Sequence, residues 1–117
     1  MRLGIVIVFA CLWGLAMAGE TELSGTEIRT LLTDSTVIGD KTRQVFYASG
    51  RTLYNDGHDS WGYWEVRGDQ YCSNWPPQQG WACYDMTTRD TGDGLEITWI
   101  GDSGTRYVTH LESNSGD

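Results

Sequence analysis

The stretch from Trp61 to Met86, WGYWEVRGDQYCSNWPPQQGWACYDM, limits what this chain can fold into more than any other. It carries two of the three cysteines and four of the six tryptophans, and two turn signals divide it into three strand-like runs. If Pro76 to Gln79 form a four-residue bend, Trp75 faces Gly80, Asn74 faces Trp81 and Cys72 faces Cys83. Directly opposed antiparallel residues lie within reach of a disulfide, so one register accounts for both cysteines. A two-residue turn at Gly68-Asp69 pairs Arg67 with Gln70, Val66 with Tyr71 and Trp64 with Ser73. One face of these strands carries Gly62, Trp64, Val66, Tyr71 and Trp75 and is expected to line the core; the other carries Trp61, Tyr63, Glu65 and the disulfide.

Met1 and Arg2 precede an apolar run from Leu3 to Ala18 that ends in Ala16-Met17-Ala18. A single positive charge, a short apolar run and a small-residue site describe a secretory leader, expected to be cleaved after Ala18; the run is short for a membrane span. Acylation at Cys11 fits poorly, because Phe9 is bulky for such a site and the apolar run continues past it. Residues 19–112 are expected to form one domain and 113–117 a disordered tail, in a periplasmic or secreted protein without stable membrane insertion. Without Arg2, seven basic residues face 16 acidic ones, a net charge of −9. Such a surface repels nucleic acid and anionic lipid and steers toward a basic partner. Two cysteines in an exported domain, with no C-x-x-C, indicate a structural bridge.

Ser24 and Glu27 have capping-box spacing, Leu23 and Ile28 that of a hydrophobic staple, and Ile28, Leu31 and Leu32 continue one apolar stripe. They predict a short helix to about Leu32 or Thr33, too short to persist alone and therefore laid on a sheet or plugging its end. From Thr36 onward short β-branched and aromatic runs alternate with turn clusters. Ser49-Gly50 as a two-residue turn sets Phe46 opposite Leu53 and Val45 opposite Tyr54. Asp102-Ser103-Gly104 as a three-residue loop, with Gly104 left-handed, sets Trp99 opposite Tyr107, Ile97 opposite Thr109 and Leu95 opposite Leu111. The expected fold is mainly β: seven to eight antiparallel strands in up-and-down order, as a small barrel or a strongly curled sheet, with one short N-terminal helix.

Few residues suggest chemistry. Gly101-Asp102-Ser103-Gly104 has the letters of a serine-protease nucleophile loop, but it lies between alternating runs and only His58 and His110 could act as base; a hairpin turn is expected. Asp56, His58 and Asp59, or Asp90 and Asp93, are turn residues whose spacing matches no known metal loop, so neither metal nor cofactor is expected. The excess is aromatic: Trp61, Tyr63, Trp75 and Trp81 surround the predicted disulfide. Most rings in a small barrel fill its interior, and an exposed subset would offer a stacking platform for a sugar or apolar ligand.

The motif order Leu23–Thr33, Val45-Phe46-Tyr47-Ala48-Ser49-Gly50-Arg51, Gly62-Tyr63-Trp64-Glu65-Val66, Tyr71-Cys72-x-x-Trp75 and Cys83-Tyr84 resembles that of small exported bacterial proteins grouped as domain of unknown function 995. The resemblance implies an exported β-rich domain and no assigned activity. Ala48 to Gly57 followed by Tyr63 to Gly68 also looks like the paired motifs of periplasmic C-type lysozyme inhibitors, in which a turn serine and a basic residue enter the lysozyme cleft. That likeness points to Ser49 and Arg67, although one extra residue separates Gly50 from Tyr54, another Trp64 from Arg67, and Arg stands in place of Lys. The expectation is a non-catalytic binding protein of the cell envelope, its partner a small ligand or a basic protein. A lysozyme-type inhibitor is the alternative, and a small Asp/His hydrolase a distant third.

Overall fold

A computed structural model describes residues 19–112; the leader and tail readings fall outside them. The described chain forms β1 (Thr21–Glu22), α1 (Gly25–Leu32), β2 (Ser35–Ile38), β3 (Arg43–Phe46), β4 (Arg51–Asn55), β5 (Asp59–Arg67), β6 (Gln70–Asn74), β7 (Ala82–Asp90), β8 (Leu95–Ile100) and β9 (Arg106–Leu111). Strands β2 to β9 pair antiparallel in chain order, and β9 pairs with β2, closing an eight-stranded up-and-down barrel. Closure removes the sheet edges that the curled-sheet alternative would have exposed. The two-residue β1, which no sequence signal announced, pairs with β7 through Thr21–Thr88 and Glu22–Thr87.

The central hairpins have the expected registers. Arg67 pairs with Gln70, Val66 with Tyr71 and Trp64 with Ser73, while Cys72 opposes Cys83 with Cα atoms 4.0 Å apart in a disulfide. Trp99 pairs with Tyr107 and Ile97 with Thr109 around a turn with Gly104 at φ +89°. The β3–β4 hairpin differs by one residue: Phe46 opposes Thr52 and Val45 opposes Leu53. The loop there is Ala48-Ser49-Gly50, closed by the Tyr47 N–H on the Arg51 carbonyl at 2.9 Å, with Gly50 at φ +95°. Gly50 in the left-handed conformation ends a three-residue loop instead of completing a two-residue one. The slip reverses faces. It turns Thr52 inward beside Phe46, both fully buried, and leaves Leu53 opposite Trp61 on the outside.

Helix α1 closes one end of the barrel. Ser24 Oγ accepts the Glu27 N–H at 3.2 Å and Glu27 Oε1 accepts the Ser24 N–H at 2.8 Å, completing the capping box. The next N–H, of Gly25, donates to Asp69 Oδ1 in the β5–β6 turn at 2.8 Å, placing a carboxylate at the positive end of the helix. Beyond the helix, Asp34, at φ +61°, donates its N–H to the Phe46 carbonyl at 2.8 Å and accepts the Ala48 N–H at 3.3 Å. Two hairpins at the same end of the barrel thus hold the helix. Ile28 and Leu32, fully buried, pack with Phe46, Trp64, Met86 and Ile97, and Leu23, Leu31 and Val66 seal the margins.

Candidate functional site

The opposite end has no plug. In an up-and-down barrel alternate connections fall at opposite ends, and the β2–β3, β4–β5 and β6–β7 connections surround a cavity of about 760 Å³. Its apolar wall is aromatic: Tyr54, Tyr71, Trp75, Tyr84, Trp99 and Tyr107. Tyr71 and Trp99 form the floor. They line the cavity and also belong to the core, where Trp99 stacks on Phe46 at 5.9 Å and Tyr71 meets it edge-on at 5.8 Å.

Small and polar residues at inward positions keep this half unfilled. Gly62 is one: a Cβ there would come within 2.5 Å of Trp75 Cε3 and 2.7 Å of the Asn74 carbonyl, so only glycine lets the ring lie against β5. Trp75 Nε1 donates to Ser73 Oγ at 3.1 Å, and Trp99 Nε1 to Thr109 Oγ1 at 2.9 Å. Gln44 Nε2 donates to Thr52 Oγ1 at 3.0 Å and to the Tyr71 hydroxyl at 3.4 Å. These bonds fix ring orientation while satisfying groups that burial would otherwise penalise. Burial pushes the Tyr71 phenol up to about 12, with Ser73 and Gln44 pulling weakly the other way. Tyr84 is also raised, by burial first and then by Tyr107 and Asp102. Both phenols therefore stay neutral at physiological pH, offering ring faces and hydroxyls rather than a phenolate.

The residues singled out by sequence do not form one site. Trp75 alone of its four lines the cavity. Trp61 (45% exposed) and Tyr63 (47%) stand on the outer surface of β5, where Trp61 stacks with Tyr47 at 5.9 Å and carries the Arg51 guanidinium 4.4 Å above its ring. Trp81 is exposed elsewhere on the outside, under the Arg67 guanidinium at 4.5 Å. That guanidinium also pairs with Glu65. To reach Trp81 from β5 it crosses β6, and Cys72, an outward residue of β6, has no exposed surface. Ser49, exposed at the tip of the β3–β4 hairpin, accepts the Arg51 N–H at 3.3 Å and lies at the plugged end, as does Arg67.

The remaining polar clusters act as turns. Asp90 Oδ1 accepts the Gly92 N–H at 2.9 Å, and the Gly101 N–H donates to the Thr105 carbonyl at 2.9 Å in the hairpin that contains Ser103. Asp59 takes the Asn55 amide at 2.7 Å, while His58 Nδ1 approaches Asp56 at 3.5 Å. Among the described residues no three His, Cys, Asp or Glu side chains converge as a metal site requires, and no helix is long and apolar enough to cross a membrane. No family model, curated protein or solved structure matches the chain.

Sequence reasoning missed Tyr54 and Tyr84 as wall residues and took Tyr71, Trp99 and Tyr107 for ordinary packing. A signal was present: Gln44, Ser60, Ser73 and Thr109 share inward faces with those rings. Polar and small residues among inward aromatics mark the part of a barrel that its own side chains do not fill.

Proposed function

We propose that this chain is a non-catalytic binding protein of the cell envelope that takes a small, flat, largely apolar molecule into the mouth of the barrel. The cavity carries this reading. Its volume lies within the range of about 300–1,000 Å³ typical of small-molecule sites, and it combines ring faces with a few oriented hydroxyls and amides. The disulfide and the leader-like N-terminal sequence support an oxidising, exported setting. A panel of aromatic and lipid-like compounds titrated against intrinsic tryptophan fluorescence tests it, since Trp75 and Trp99 border the cavity. Binding is expected, with loss in Trp75→Ala; a flat response across the panel counts against it.

The inhibitor reading would use the other end, where Ser49 and Arg67 are both exposed. A basic lysozyme is electrostatically suited to an acidic partner. Unchanged hydrolysis with the protein in micromolar excess disposes of that alternative.

A further inference from the structure

Three pairs of cavity rings cross steeply, Tyr71 to Trp99 at 73° with centroids 4.9 Å apart, Tyr54 to Trp75 at 68° and 6.0 Å, and Tyr84 to Tyr107 at 75° and 6.3 Å, while Tyr71 and Tyr84 are tilted at 39°. A cation among aromatic rings is drawn to their faces, the negative side of the quadrupole, and six rings line this space.

The charged lining residues are Asp40, Asp56 and Arg106. Arg106 is already matched, with Nη2 at 2.9 and 2.7 Å from the two carboxylate oxygens of Glu20. Among the described residues Asp40 makes no ion pair, and Asp56 has only the solvent-exposed imidazole of His58 near it. Asp102, in the β8–β9 turn, is close enough to push up the Tyr84 phenol. Lys41, exposed beside Asp40 on the β2–β3 connection, lies outside the lining. The mouth is therefore negative, in a chain of net charge −8.

Resting on the binding role proposed above, we infer that the cavity selects an organic cation, a substituted ammonium on a flat apolar body, held by the ring faces and the carboxylates of Asp40 and Asp56. An anion of the same shape would meet both the ring faces and the acidic mouth as repulsion. A neutral analogue would keep the apolar contact and gain nothing from the charge.

Three probes of nearly one shape separate these cases: benzyltrimethylammonium, its uncharged carbon isostere neopentylbenzene, and benzenesulfonate. They are titrated into the full chain, with tryptophan fluorescence and amide NMR shifts as readouts. The cation is expected to bind about tenfold tighter than the neutral isostere, with no binding of the sulfonate. Replacing both acids (Asp40→Asn with Asp56→Asn) should weaken the cation about three- to fivefold at low salt and leave the neutral probe unchanged. Both positions are exposed, so this variant is expected to fold. Equal affinity for the cation and its neutral isostere overturns the charge selectivity but leaves the cavity as a binding site. Silence from all three probes to the limit of their solubility overturns both.

Discussion

The two ends of the barrel are built from the same eight strands and differ in what fills them. At the plugged end the interior is aliphatic and aromatic: Ile28, Leu32, Phe46, Met86 and Ile97 have no exposed surface, and the helix that brings two of them is held at both termini by hairpins. At the open end the inward positions alternate between rings and small or polar residues, and no segment of the described chain covers them. An eight-stranded barrel is just wide enough to be filled by its own side chains or to hold one small ligand. The plugged end takes the first option and the open end the second. Where the chain places its helix decides which end is which.

The sharpest test of this contrast is one deletion at each end. Phe46 touches Trp64 and Tyr71 edge-on and stacks on Trp99, with no exposed surface. Phe46→Ala is expected to cost about 3–5 kcal/mol in chemical denaturation, because the cavity it leaves is enclosed. Trp75 lies half-buried at the cavity edge, edge-on to Tyr54 and against the Gly62 backbone. Its replacement by alanine should cost about half as much or less, because part of its surface already faces solvent, and should abolish ligand quenching. Similar losses of stability at the two positions would mean that the open end is packed like the plugged one.

Second in size is the disulfide, which staples the hairpin whose loop carries Trp75 and Pro77. The Cys72→Ser, Cys83→Ser double variant should lose about 3 kcal/mol by the chain-entropy argument. Weaker probe binding should accompany the loss, since the freed loop borders the mouth. Unchanged affinity would show that the cavity holds its shape without the staple.

Why the sequence revealed one end better than the other follows from the same contrast. The plug was legible because its signals are local: Ser24 and Glu27 lie three residues apart and the apolar stripe repeats every turn. The β6–β7 register was legible because two cysteines must meet, and the β5–β6 register because Gly68-Asp69 makes a two-residue turn. The β3–β4 register was not, since a turn at Ser49-Gly50 is compatible with either two or three residues, and the longer loop is held by contacts from distant parts of the chain: Asp34 beyond the helix and Trp64 of β5, whose backbone and indole N–H groups donate to the Gly50 and Tyr47 carbonyls. The cavity depends on rings from five strands converging, and its one signal, the small and polar residues at inward positions beside those rings, can be read only once the strands are placed around one barrel. Placing Trp61, Tyr63, Trp75 and Trp81 together followed from their nearness in sequence to the cysteines, whereas strand alternation sends Trp75 inward and the other three outward.

The floor between the two ends gives a pH test. Tyr71 is pushed from its ordinary value near 10 up to about 12, chiefly by burial. Between those values the unfolded chain releases the proton and the folded chain keeps it, so stability is intact below pH 10 and falls as pH rises toward 12. The loss is expected to reach about 2–3 kcal/mol across that window. Denaturation midpoints between pH 9 and 12 measure it, and Tyr71→Phe should flatten most of the decline. The raised Tyr84 phenol adds to the slope with the same sign.

The smallest expected effect separates the ends most cleanly. Ser24 accepts one hydrogen bond from α1 at its side chain and donates another from its backbone N–H to Glu27, both at the edge of the plug. Ser24→Ala removes the first and should cost about 1 kcal/mol, the usual value of an N-cap. If the plug and the mouth are independent, the ligand-binding curve of this variant superimposes on that of the unaltered chain, because the cavity floor is made by Tyr71 and Trp99 and not by the helix. If fraying the helix weakens binding, the plug must reach the floor through Phe46, which contacts both floor rings and whose carbonyl accepts the Asp34 N–H just beyond the helix. In that case the Phe46→Ala and Ser24→Ala effects on affinity should be non-additive, and a double-mutant cycle would give their coupling directly.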